Sequence, residues 1–182
     1  PPRSTLFPNT TLYRSYTRQF MFYNGLTEIN QTLVATPALA TALQSDDGIR
    51  WQITLRKGVT FHNGKSLTAD DVIWSLSRHK DPSVASSVFS LAQQFKTLTA
   101  VNPQQVEIVL QGPNFDLPLM LAMPAFLIVP AETTDFNKGI GTGPFICQAF
   151  TPGLHTLGKR NPGYWKPGLP HLDEIELLGV PD

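Results

Sequence analysis

Two carboxylate pairs, Asp46-Asp47 and Asp70-Asp71, four histidines and one thiol are the first places to look for chemistry in this 182-residue sequence. General acid–base work needs two carboxyls that converge on a substrate from different environments. Adjacent residues on a helix or in a turn diverge by about 100° or more, so both pairs are expected in turn and helix-cap roles. His62, His79, His155 and His171 show no His-x-x-x-His or similar ligand spacing, and no metal site is expected. A single cysteine excludes an internal disulfide and every multi-cysteine metal site. Cys147 with His155 can be written as a thiolate nucleophile and its base. Strand-like surroundings instead favour Cys147 as a small core residue.

Gly139-Ile140-Gly141-Thr142-Gly143-Pro144 is the most unusual local sequence. Glycines at alternate positions let a backbone approach something closely or take positive φ. A phosphate cradle is excluded, because no Lys-Ser/Thr follows and Pro144 opens a strand where the cradle needs a helix. Two readings stay open: a tight entry into a strand, or a ligand-facing, hinge-adjacent loop. Tyr164-Trp165, following Asn161-Pro162-Gly163, is similarly either an aromatic platform for a sugar or peptide or a plug at the rim of a core.

The elements that position these residues follow from pattern and punctuation. A short helix is expected from Ser15 to about Leu26. Trp51, Ile53 and Leu55 alternate with Gln52 and Thr54, a half-buried strand. Val59–His62 reads as a second short strand before the Asn63-Gly64 turn. Thr68 is an N-cap with Asp71 three residues on. Ala69, Val72, Ile73 and Leu76 give the following helix one apolar face. Arg78, His79 and Lys80 sit where the helix's negative end favours cations, and Asp81-Pro82 stops it. Strands are predicted at Phe95–Val101, Val106–Leu110, Phe126–Val129, Phe145–Phe150, His155–Lys159 and Glu174–Leu178, with a short helix at about Phe115–Met123. Strands and helices interleave irregularly, which favours α/β with a mixed sheet.

Composition excludes whole classes. Lys plus Arg and Asp plus Glu are both 14, and no basic block is present, so nucleic acid, which needs cations against phosphate, is not an expected partner. Only 15% of residues are charged while 16 Pro and 13 Gly punctuate the chain, which argues for many turns around short strands. The longest apolar run, Leu117–Val129, carries Pro118 and Pro124 and is too short to span a membrane, for which about 20 residues are needed. Pro1–Thr11 lacks a basic start followed by an apolar run, so no signal peptide is read there.

Two long motifs occur in order. Trp51–Pro82 (WQITLRKGVTFHNGKSLTADDVIWSLSRHKDP) joins a strand, Leu-Arg-x-Gly-Val-x-Phe, a polar-Gly turn and Thr-Ala-x-Asp-Val opening a helix. Gly141–Glu176 carries Gly-Thr-Gly-Pro-Phe, Arg-Asn-Pro-x-Tyr-Trp and Leu-Asp-x-Ile. With the weaker elements Tyr23–Leu26 and Pro37–Ala40, the chain resembles the bacterial extracellular solute-binding protein family 5. That family includes the peptide-, dipeptide- and nickel-binding receptors of ABC importers.

The resemblance implies an α/β fold: the mixed-sheet lobe of a periplasmic-binding-protein-like (type II, cluster C) fold, incomplete. Residues 16–182 would form most of lobe I, with lobe II absent, and residues 1–15 a non-family arm, artefactual or disordered. A signal peptide would lie upstream, and the location would be periplasmic or extracytoplasmic. The implied mechanism is capture: a small, peptide-like solute between two lobes favours a closed form that importer permease subunits recognise. Neither cofactor nor metal is implied, nor any membrane contact except through the transporter. The cleft wall is expected at Tyr23, Asn24, Gly25 and Leu26, at Ser86, Ser87, Val88 and Phe89, and at Gly141, Thr142 and Gly143. Phe89 is the candidate aromatic on ligand. Two other readings compete: a hydrolase-like enzyme using Cys147 or a serine with His155, and a chain whose uncovered apolar faces make it self-associate.

Overall fold

The computed structural model describes residues 9–179, with side chains from residue 16 onward. The first helix, α1 (Asn9–Phe22), begins before the expected start at Ser15. No proline or glycine intervenes between Pro8 and Gly25, so nothing local ends the helix sooner, and a proline just ahead of a helix is tolerated. The arm expected over residues 1–15 is therefore helical from Asn9, and residues 1–8 lie outside the described residues.

Two short strands, β1 (Thr27–Ile29) and β2 (Ala35–Pro37), pair with each other. β3 (Ala40–Gln44) and β4 (Arg50–Leu55) follow, then helix α2 (Ala69–Ser77) and the one-turn α3 (Phe89–Ala92). Strands β5 (Phe95–Asn102) and β6 (Gln105–Leu110) complete a four-stranded sheet of order β3-β4-β6-β5. After the one-turn α4 (Leu117–Met120), strands β7 (Phe145–Thr151), β8 (His155–Arg160) and β9 (Glu174–Leu178) make a three-stranded sheet. The α/β class holds, and every pairing among the described strands is antiparallel. The tight turns after β3, β5 and β7 permit only that geometry, since a parallel pair needs a crossover of a dozen residues or more.

Alternation places the larger core. Trp51, Ile53 and Leu55 on β4 are buried, and so are Val106, Ile108 and Leu110 on β6. The register sets Trp51 against Ile108 and Ile53 against Val106, so one face of the sheet is continuously apolar. Ala69, Val72 and Leu76 of α2 close over this core. Each such aliphatic side chain contributes about 1.5–3 kcal/mol by leaving water. A second cluster gathers Met21, Phe22 and Tyr23 from the end of α1 with Leu127, Val129 and Phe145.

Two predicted strands take other forms. Val59–His62 makes one bridge, Thr60 to Ser66, because the Asn63-Gly64 turn closes it at once, with Gly64 at φ +83°. Phe126–Val129 is buried but carries no ladder. The Ile128 N–H donates to the Asn24 carbonyl (2.9 Å) and the Val129 N–H to Ser75 Oγ (3.0 Å). A buried backbone must be paired, and here single contacts from two elements suffice. The predicted Phe115–Met123 helix shortens to α4, with Pro118 in its first turn.

Candidate solute-binding face

The expected wall residues fall into two groups. Tyr23–Leu26 and Gly141–Gly143 come together at the end of α1, where they pack and hydrogen-bond with one another. The Gly143 N–H donates to the Phe22 carbonyl at 2.9 Å. A Cβ on Gly141 would run into the Phe22 carbonyl, and one on Gly143 would lie 2.5 Å from the Phe22 carbonyl carbon. The glycines are there for close approach to the helix end. Asn24 is the hub: its Oδ1 accepts from Thr142 Oγ1 (3.1 Å) and from Trp165 Nε1 (3.0 Å), while its Nδ2 donates to the Tyr164 hydroxyl (3.4 Å). The Tyr164-Trp165 pair thus supports this junction, with the Arg56 guanidinium 4.7 Å from the Trp165 ring centre. Leu26 and Gly25 are buried, and the Tyr23 hydroxyl donates to the Phe136 carbonyl at 3.3 Å.

His62 fastens the glycine loop from the other side. Its Nδ1 accepts from the Gly141 N–H (3.3 Å), its Nε2 lies 3.0 Å from the Gly143 carbonyl, and its own N–H donates to the Gly141 carbonyl (2.8 Å). Nδ1 also lies 3.2 Å from the Gly139 carbonyl, so carbonyl oxygens face both ring nitrogens. Burial outweighs these two carbonyls and holds the imidazole below its ordinary value.

The second group lies elsewhere, at a cavity of about 440 Å³ between the exposed side of α1 and the turn after α2. Ser86, Ser87 and Val88 line it with Gln19, Arg78 and His79. Phe89 is half-buried and is not part of this lining, so Val88 is the residue presented here. Ser86 Oγ lies 2.7 Å from His79 Nδ1 and accepts the Val88 N–H at 3.2 Å. Those two bonds fix the loop that carries Ser87. His79 is 4% exposed, and burial, with the Arg78 charge beside it, lowers its imidazole to about 4. At neutral pH it is therefore an uncharged wall residue, which corrects its expected part as a helix-dipole cation. Lys80 instead donates to the Phe95 carbonyl at 2.7 Å.

Gln19, Arg78 and His79 line this cavity without having been among the expected wall residues. Only the tertiary approach of α1 to the end of α2 makes them neighbours, and no local spacing signals it. Among the described residues, no group of three or more His, Cys, Asp or Glu converges as a metal site would require, and no helix is long and apolar enough to cross a membrane. The Cys147–His155 pair is not assembled. Cys147 lies opposite Gly158 and His155 opposite Thr151 in the β7–β8 ladder, and His155 Nε2 is 2.8 Å from Glu176 Oε1.

Residues 34–182 match the model of the family described as bacterial extracellular solute-binding proteins, family 5 Middle. The chain belongs to that family. It is 32% identical over 181 residues to the glutathione-binding protein GsiB of Escherichia coli (strain K12), covering 96% of this chain and 35% of that protein. Coverage so extensive takes in part of residues 1–15, which were expected to lie outside the family likeness. Among solved structures, AgaA from A. tumefaciens R10, in complex with agropinic acid, superposes with a TM-score of 0.84 at 27% identity, over 90% of this chain and 34% of that one. A nickel ABC transporter protein from Bacillus halodurans gives 0.78 at 32% identity, over 89% and 34%. The chain thus spans about a third of the length of these family relatives.

Proposed function

We propose that this chain is the solute-facing part of one lobe of an ABC importer's substrate-binding component, which captures a peptide-like solute and passes it unaltered to the permease. The proposed lobe is residues 16–182, and the proposed location is periplasmic or extracytoplasmic, as for the family. The observation that carries the reading is the cavity at Ser86–Val88: a concavity of about 440 Å³ lined by the polar side chains of Gln19, Arg78, His79, Ser86 and Ser87. GsiB's name, glutathione-binding, supports a peptide-like solute, while AgaA and the nickel relatives keep acidic sugar derivatives and metal chelates in the test panel. The Asn24 hub and the Gly141–Gly143 loop support the wall from behind in this reading.

The test is a thermal-shift screen of the chain against small peptides, glutathione, agropinic acid and nickel–histidine. A ligand that binds the folded form raises Tm with concentration. At least one class is expected to do so, and Ser87→Trp, which fills the cavity mouth, is expected to abolish the rise without lowering the ligand-free Tm. If every solute leaves Tm unchanged, or Ser87→Trp leaves a rise intact, the cavity is not the capture site.

A further inference from the structure

Arg78 is the cation of the cavity lining, which contains no carboxylate. Its guanidinium is half-buried yet makes no hydrogen bond to any described residue, and its enclosed Nε likewise has no partner among them. The other ion pairs of the described residues use Arg50, Lys65, Arg160, Lys166 and His155, so Arg78 is left without a counter-ion among them. Its electrostatic neighbour is the Tyr23 phenol, which burial pushes above its ordinary value and so keeps neutral. What Arg78 does touch is aromatic: the Phe136 ring centre is 4.8 Å and that of Trp74 5.9 Å from the guanidinium carbon. Ring faces hold a guanidinium plane in place but satisfy none of its five N–H donors.

Removing an arginine from water without a partner is unfavourable. A positioned fork of parallel N–H groups is the arrangement that matches a carboxylate with two hydrogen bonds. Gln19, in the same lining, carries a side-chain amide that suits a polar group close to that carboxylate. We propose that Arg78 seats a carboxylate of the solute, so that this wall selects carboxylate-bearing peptide-like molecules over their neutral counterparts. The inference rests on the reading of this face as the solute site. Loss of the carboxylate would leave the half-buried guanidinium as unpaired in the complex as it is without ligand.

The test uses the chain uniformly labelled with ¹⁵N and titrated with trialanine and with its C-terminal amide at equal ionic strength. The Arg78 Nε–H signal reports the proposal, and the backbone amides of Ser86–Phe89 report solute binding as such. The expected result is that trialanine binds on the order of ten times more tightly than its amide and alone moves the Arg78 signal. Arg78→Gln is expected to remove the difference between the two peptides, and Arg78→Lys, which keeps the charge, to retain part of it. Equal binding of the acid and the amide, with the Ser86–Phe89 amides moving in both, would overturn the carboxylate seat and leave the solute reading standing. A titration in which neither peptide moves those amides would overturn both. If Arg78→Gln binds the acid as the parent chain does, with its spectrum otherwise unchanged, the guanidinium is only an aromatic clasp and the proposal fails.

Discussion

His62 and His79 are both held neutral by the fold, and that has a definite sign. Their imidazoles are depressed below 6.5, His79 to about 4, so the unfolded chain binds more protons once the pH falls below 6.5. Stability is therefore full above that value and declines as the pH drops from 6.5 toward about 4. Asp47 and Asp81, whose carboxylates accept backbone N–H bonds and sit below 3.8, lose their contribution only on further acidification. Tm measured between pH 7 and 4 should fall, and His79→Gln should flatten part of the slope. An unchanged profile in that variant would remove His79 from the account. The glycines make a steric counterpart. Gly141→Ala should cost about 3 kcal/mol, as overpacking against a backbone does, whereas Gly163, whose nearest atom is Asn161 Oδ1 at 3.5 Å, should accept alanine within about 0.5 kcal/mol. Urea denaturation of the two variants compares them directly. From the sequence, this loop could be seen to need closeness to something. The Phe22 backbone as that something is a tertiary fact.

At the scale of elements, α2 shows how a local signal comes to serve a long-range purpose. Thr68 and Asp71 were legible as a cap, and the Asp71 carboxylate does accept the Thr68 N–H at 2.9 Å. It also accepts the Ala131 N–H at 2.8 Å and pairs with Lys65, with its side chain fully buried. Asp71→Ala would strand these donors and should cost about 3–5 kcal/mol, more than a cap alone, for which about 1 kcal/mol is usual. Ser75 repeats the pattern one turn on, giving a hydrogen bond to the Asp71 carbonyl (2.7 Å) and taking the Val129 N–H (3.0 Å). Ser75→Ala should cost about 1–3 kcal/mol. Chemical denaturation reads both, and a loss of only about 1 kcal/mol for Asp71→Ala would mean that the tie to residue 131 carries nothing. The Phe126–Val129 stretch looked like a strand because β-branched and aromatic residues run together there. Its partners turned out to be α2 and Asn24, which no periodicity encodes. The alternating strands β4 and β6 were legible because each has one wet face and one dry face.

At the scale of the whole molecule, two long motifs in order indicated family and fold class before any contact was visible, since strand, turn and cap chemistry recur at fixed spacing. The candidate site was legible only in part. Ser86–Val88 lie on the cavity, while the two other expected segments pack on each other at the end of α1. Arg78 and His79, read as a helix's closing charges, line the cavity as a cation without a counter-ion among the described residues and a neutral ring. A face of this kind is suited to holding a solute, and the thiol and imidazole that would argue for bond breaking are engaged apart from each other. Capture without conversion is what we propose for this face. It is tested most directly by equilibrium dialysis of the chain against the solute that raises its Tm, followed by mass spectrometry of both compartments. Saturable retention of one solute per chain is expected, with its mass unchanged throughout. Turnover of the solute into products, or retention that never saturates, would contradict it.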